Sequence, residues 1–412
     1  MTFRRGVVLI TLAMLLHGVA AAAWADNYPS ISFNGFGTLG LVHSNEDQAD
    51  FVSNSLVDKG AGYSSAWSAD VDSRLGLQLT ADLTSRLSGI VQVVAERRYD
   101  GTYTPALEWA NIKFDVTPDF DVRIGRVVLP VFMTSEYRKV GYANPWVRPP
   151  QEVYHLVPVT NIDGVEASYR YHFQGFTNTL RGTFGNQDNN IAGGGVSKAR
   201  DGVTVVDSLE WEDWTVFARY SAFRLTIDNL TPLFDGFRQF GAAGQAIADR
   251  YDVKRKAVHL MSFGARYDPG TWFVMGEWAR LDSRSFIGKS HGWYVTAGRR
   301  FGAVTPYATL AGVALDSASS TPGLSAAGLP SPLAATARGL DTGLNQLLAM
   351  QATQTSLSLG TRWDFARNMD LKAQFDYLDL GAGSAGVLTN VQPGFRPGGS
   401  VSLFSIALDF VF

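Results

Sequence analysis

The last twelve residues, Val401 to Phe412, read VSLFSIALDFVF and carry Phe412, Phe410, Leu408, Ile406 and Phe404 at every second position. The interleaved set, Val411, Asp409, Ala407, Ser405 and Leu403, is small or polar by comparison. Period-2 alternation over this length describes a β-strand with two unlike faces. A soluble sheet ending on such a strand would need another layer to cover five large apolar side chains. A membrane-barrel strand uses the pattern as it stands, with one face to hydrocarbon and one to a polar interior. The plainer alternative is a sandwich strand that happens to come last, so the choice falls to the rest of the chain.

The other end of the chain indicates the compartment. Arg4 and Arg5 form a basic start, and Gly6 to Leu16 is apolar but for Thr11, which is too short to span a bilayer as a helix. Ala23-Trp24-Ala25 fits a small-x-small cleavage site, so residues 1–25 are expected to be a signal peptide and 26–412 the folded unit. No later apolar run is long enough for a membrane helix. Aromatics make up 12% of the chain and glycines number 42, a mixture that favours many strands joined by turns over a helical enzyme. There are no cysteines, which removes disulfides, thiolate metal sites and a cysteine nucleophile. The net charge of −3 is not that of a nucleic-acid-binding chain.

From Ile31 onward the chain divides into sixteen alternating segments: 31–42, 72–82, 86–98, 106–115, 120–127, 163–173, 178–185, 203–211, 214–227, 256–267, 271–281, 291–301, 303–314, 354–365, 369–380 and 401–412. Most are near the ~9–11 residues that a tilted strand needs to cross a membrane. Short turns such as Asp268-Pro269-Gly270 alternate with longer loops, seven of the first kind and eight of the second. That order is expected of an up-and-down membrane barrel, with short turns on the periplasmic side and long loops outside. Two of the long loops have helical composition, at 238–250 and 337–351. Tryptophans at 109, 211, 214, 272, 278, 293 and 363 lie in or beside strands, as interface girdles require.

One stretch fits no strand. Residues 128–162 read VLPVFMTSEYRKVGYANPWVRPPQEVYHLVPVTNI, with five prolines, several large aromatics and charges of both signs. Proline at this density rules out regular sheet. Tyr137, Tyr142, Trp146 and Tyr154 call for packing partners, so a structured loop is expected in the third external position.

With sixteen strands, a structured third loop and a terminal Phe behind a signal peptide, the mature chain resembles the Gram-negative outer-membrane porins. The resemblance is one of architecture and length, without a specific motif. It implies an all-β transmembrane barrel in the outer membrane with the 128–162 loop folded into the lumen as a constriction. It also implies a homotrimer in outer-membrane lipid, and a Phe412, Phe410, Leu408 signal read by the barrel-assembly machinery. The expected function is passive diffusion of small hydrophilic solutes and ions, with no cofactor, metal or nucleic-acid partner. By alternation Arg74, Arg123, Arg170 and Arg181 face the lumen, where an arginine is spared the ~2–4 kcal/mol cost of the lipid midplane. With Glu136, Arg138, Lys139, Arg148 and Glu152 of the loop they form the expected pore-lining set, and the excess of arginine suggests a weak anion preference. Alternatively, these arginines pair with lumenal carboxylates such as Glu96, Glu166, Glu277 and Asp376 and simply hold wall and loop together. Two further alternatives are a substrate-selective channel for phosphate or an organic anion, and a plugged structural or adhesive barrel. None of the six histidines sits in a metal-ligand pattern, and no nucleophile elbow or phosphate loop is present, so catalysis is not expected. The acidic run from Glu46 to Asp50 is read as a solvated loop in preference to a cation site.

Overall fold

The computed structural model describes residues 28–412; the expected signal peptide and its cleavage point lie outside the described residues. Sixteen antiparallel strands close into a barrel: β1 (Ser30–Ser44), β2 (Arg74–Asp82), β3 (Leu87–Glu96), β4 (Ala106–Thr117), β5 (Phe120–Val128), β6 (Asn161–Phe173), β7 (Phe176–Ile191), β8 (Gly195–Trp211), β9 (Trp214–Ile227), β10 (Lys256–Tyr267), β11 (Trp272–Ser283), β12 (Lys289–Arg299), β13 (Val304–Leu315), β14 (Gln354–Ala366), β15 (Met369–Leu380) and β16 (Ser400–Val411). Each strand pairs with its chain neighbours. Closure comes at β1, where Phe36 sits opposite Gly76 of β2 on one side and Val411 of β16 on the other. A two-residue bridge, Trp67–Ser68, adds to the sheet beside β1.

The alternation read in the sequence is the alternation of burial. On β16, Phe404 and Ile406 are exposed, while Leu403, Ser405, Ala407 and Asp409 are buried. Ile124 of β5 is 61% exposed and Leu79 of β2 is 42% exposed, although both are large and apolar. A continuous apolar outer belt is what hydrocarbon contact requires, since every backbone group is already paired within the closed sheet. Aromatic contacts collect at the end bearing the short turns: Phe176 with Trp211, Trp214 with Tyr267, Tyr267 with Trp272, and Phe410 with Phe412. Trp278 and Trp293 instead face each other across β11 and β12 at mid-height.

All sixteen expected segments are strands, with one large difference in extent. Residues 186–202, expected to be loop, continue the β7–β8 hairpin to a tip at Ala192–Gly194. The low strand propensity of this Asn/Gln/Asp-rich stretch is offset by cross-strand partners, Arg200 with Asp188 among them, and positive φ at Gly193 and Gly194 makes the tight tip. Both loops of helical composition hold helices: α3 (Gly241–Tyr251) covers most of the first stretch and is preceded by an unexpected α2 (Thr231–Arg238), and α4 (Ser331–Ala349) begins earlier than expected, with a single turn, α1 (Gln151–Tyr154), between β5 and β6. Phe234, Phe237, Tyr251, Leu344 and Leu348 give α2, α3 and α4 a small core of their own. The acidic run is not a solvated loop throughout. Asp50 is fully buried and accepts hydrogen bonds from Ser64 and Asn390, tying the first loop to the last.

Candidate functional site

Residues 129–160 join β5 to β6 and contact the faces of the strands opposite the exposed apolar belt. Two kinds of attachment hold the segment. The first is apolar. Val131, Phe132, Trp146, Val153, Tyr154 and Val157 form one buried cluster with Val258, Leu260, Phe273, Met275, Leu281, Tyr294 and Tyr307 of β10–β13. The Trp146 indole N–H donates to Thr296 Oγ1 at 2.9 Å and lies edge-on to Tyr294. Burying a side chain of this size contributes about 1.5–3 kcal/mol. The five prolines restrict the backbone of the segment, and its main chain also meets the wall, the Val147 amide donating to Gln374 at 3.1 Å and the Val131 carbonyl accepting from Ser262 at 2.9 Å.

The second attachment is ionic, on the adjoining strands β14–β16 and the residues leading into β2. Arg148 Nε and Nη2 donate to Asp72 at 3.0 and 2.6 Å, Nη1 to Asp376 at 3.2 Å and Nη2 to Ser405 at 2.6 Å. Lys372 of β15 donates to Asp409 of β16 at 2.9 Å and to the Gly141 carbonyl at 2.7 Å. Arg362 of β14 donates to the Tyr142 carbonyl at 2.6 Å. Two glycines permit these approaches. A Cβ on Gly141 would lie 1.9 Å from an Asp409 oxygen, and one on Gly292 of β12 would lie 2.1 Å from the Glu152 carbonyl.

Between these anchors the stretch from Glu136 to Lys139 faces the polar walls of β2–β9. Glu136 pairs with Arg181 of β7, and Arg181 and Arg123 converge on the buried Glu166, at 3.9 and 2.8 Å. Arg219 of β9 lies 3.8 Å from Glu277, which also accepts from the Met133 amide. Lys139 bridges Glu96 at 2.6 Å and Glu108 at 2.8 Å, and Arg74 lies 3.7 Å from Glu96. Cavities flank this stretch. One of about 200 Å³ is lined by Glu96, Glu108, Arg126 and Lys139. One of about 260 Å³ nearer the turn end is lined by Tyr137, Asn144, Arg266, Arg300 and Arg362.

The expected site residues therefore separate. Arg74, Arg123, Arg181, Glu136 and Lys139 come together along one wall and keep partial exposure; the Glu136 side chain is 52% exposed. Arg148 and Glu152 are buried against the wall, Glu152 accepting from Gln354 at 2.7 Å and Ser356 at 2.6 Å. Arg138 donates to the carbonyls of Tyr154 and Val157 and so braces the segment internally. Arg170 shares the face of Glu166 but lies exposed near the turn end, with no ion pair among the described residues. Phe412, Phe410 and Leu408 lie on the outer face of the closing strand, where Phe412 exchanges backbone hydrogen bonds with Gly35. Sequence reasoning missed Asp72, Lys372, Asp409 and the two glycines. The signal for Lys372 was its shared phase with Gln374 and Asp376 on β15. Burial works to raise the Glu136 carboxyl, but Arg181, Arg123 and Arg219 outweigh it and hold it below the usual carboxylate range.

The fold is a closed membrane-type β-barrel: sixteen strands, an apolar exterior, and charge of both signs on the inner faces. In fold the chain is similar to OmpF of Salmonella typhi, solved in complex with daunomycin, at 13% identity and a TM-score of 0.55 over 93% of this chain and 98% of that one. It is also similar to the outer-membrane channel DcaP of Acinetobacter baumannii, at 10% identity and 0.54 over 94% and 99%. A third similar structure is the outer-membrane protein OmpT of Vibrio cholerae, at 10% and 0.51 over 94% and 99%. No protein-family model matches the chain, and no curated protein matches it in sequence.

Proposed function

We propose that this chain is an outer-membrane channel for passive diffusion of small hydrophilic solutes and ions, with residues 128–162 standing in the lumen as its constriction. The observation that carries the reading is the division of the inner face. The β10–β13 side is apolar and packed by the 129–160 segment, while the β2–β9 side stays polar opposite Glu136 and Lys139. A solute passing beside this stretch meets the Glu136–Arg181 pair with Arg123 next to it, and Lys139 between Glu96 and Glu108. Such opposed charges orient dipolar solutes and set ion preference. Arg74, Arg123, Arg170 and Arg181 on the wall weight the passage toward anions, and Arg148 and Glu152 anchor the loop. In this reading the short turns are periplasmic, Phe412, Phe410 and Leu408 serve the barrel-assembly machinery, and the protein works as a homotrimer.

Single channels recorded in a planar bilayer under a salt gradient test it. The expected result is steady conductance with a reversal potential near zero or shifted toward the anion. A clear cation preference would remove the arginines as selectivity residues. A second reading, a barrel closed by the same segment, is favoured by the number of strands that segment touches, from β1 round to β16. It predicts a folded, heat-modifiable protein without conductance.

A further inference from the structure

A cavity of about 480 Å³ lies at the loop end of the barrel, above α1 and beneath the end of α4. Its volume falls within the range of small-molecule sites, roughly 300–1,000 Å³. Its walls are mostly apolar, with Ile227, Leu230, Ile287, Val313 and Met350 drawn from three different connections and the strand ends beside them. External loops collect apolar side chains at one spot only when a folded framework holds them there. The core shared by α2, α3 and α4 provides that framework.

Charge at this cavity is unlike charge in the rest of the inner face. No lysine or arginine lines it, whereas Glu152 and Asp58 do. Two residues that line it carry side-chain polar atoms without partners. Glu152 Oε1 accepts from both Gln354 and Ser356, and among the described residues no hydrogen bond reaches its Oε2. His155 Nδ1 is buried without a partner. Burial pushes the His155 imidazole down to about 4, with Arg138 adding to the effect, so it is neutral at pH 7 and supplies no positive charge.

We propose that this vestibule binds a neutral organic solute with an apolar body and a hydroxyl head, such as an alcohol or phenol. The apolar walls take the body. The hydroxyl donates to Glu152 Oε2 and lies within the reach of the His155 imidazole. An anionic head of the same shape meets carboxylates with no basic side chain to offset them, so the site rejects it. The inference goes beyond the diffusion function and holds whether or not the barrel conducts.

The test is equilibrium dialysis of the purified, heat-modifiable protein in detergent against 1-naphthol and against 1-naphthoate. Ile287→Asp and Met350→Asp serve as matched controls, because partitioning into micelles cancels in the difference. The expected result is saturable naphthol uptake by the native chain, at least tenfold weaker for naphthoate and lost in both variants. Glu152→Gln is expected to narrow the ratio between the two probes. Equal naphthol uptake by the native chain and both variants would overturn the proposal, and so would naphthoate binding as well as naphthol. Met350 is largely exposed, so Met350→Asp keeps the test decisive if Ile287→Asp fails to fold.

Discussion

Replacing Arg148 with methionine removes the cation that ties residues 129–160 to β15, β16 and the end of the first loop. Its side chain is 4% exposed, and its partners Asp72 and Asp376 are 1% and 7% exposed. Taking one member from a buried ionic group leaves the others uncompensated, at a cost of about 3–5 kcal/mol. At 1.4 kcal/mol per tenfold change, docking of the segment weakens by about two to three and a half powers of ten. The apolar cluster around Trp146 still holds the segment to β10–β13, so the barrel itself should stay closed. The expected phenotype of Arg148→Met is a normal heat-modifiable barrel with larger, noisier single-channel conductance and earlier protease cleavage within 129–160. Adding Asp72→Asn and Asp376→Asn removes the stranded charges and should restore most of the quiet, native-like current. Native conductance and native protease resistance in Arg148→Met would refute the argument that this ionic group anchors the segment.

Glu136→Gln leaves Arg123 and Arg181 unopposed by the loop, so the reversal potential in a salt gradient should move toward the anion equilibrium; an unchanged value would take Glu136 out of the conduction path. The same carboxyl gives a pH signature. Its pKa is held below the usual range, so it stays ionised from neutral pH down through ordinary carboxylate values. Anion preference should therefore rise only on stronger acidification, and Glu136→Gln should lack that step. Ile124→Arg places a charge on the lipid-facing side of β5 near its middle, at a cost of about 2–4 kcal/mol, and should lower the urea midpoint of the folded barrel. An unchanged midpoint would mean that Ile124 does not face lipid.

The barrel was legible because strand registration leaves a strong local trace. A one-residue slip would turn Phe404 and Ile406 inward and Asp409 outward, so the alternation on β16 fixes its two faces. Turns such as Asp268-Pro269-Gly270 set the strand count in the same local way. The β7–β8 extension was not legible, because its strands are held by pairing across the hairpin and not by apolar alternation. The anchors of residues 129–160 were only half visible. Its prolines and aromatics announced a packed segment, and Trp146 and Tyr154 do have packing partners on β10–β13. The partners of Arg148, however, come from residues 72, 376 and 405, and a linear sequence gives no measure of that proximity. Alternation assigned Arg170 to the same face as Arg123 and Arg181 but gave no information on height along the barrel, which separates it from them.

The most direct test of the central claim uses the absence of cysteine from the native chain. Glu136→Cys then carries the only thiol, at the position where the loop faces Arg181. Single channels of this variant would be recorded while a bulky, positively charged thiol reagent is added, with modification confirmed by mass. If residues 128–162 stand in the lumen and set the passage, each modification lowers the conductance in a step and shifts the reversal potential further toward the anion. Complete modification with unchanged current would contradict that account and place the conducting path, if there is one, away from Glu136.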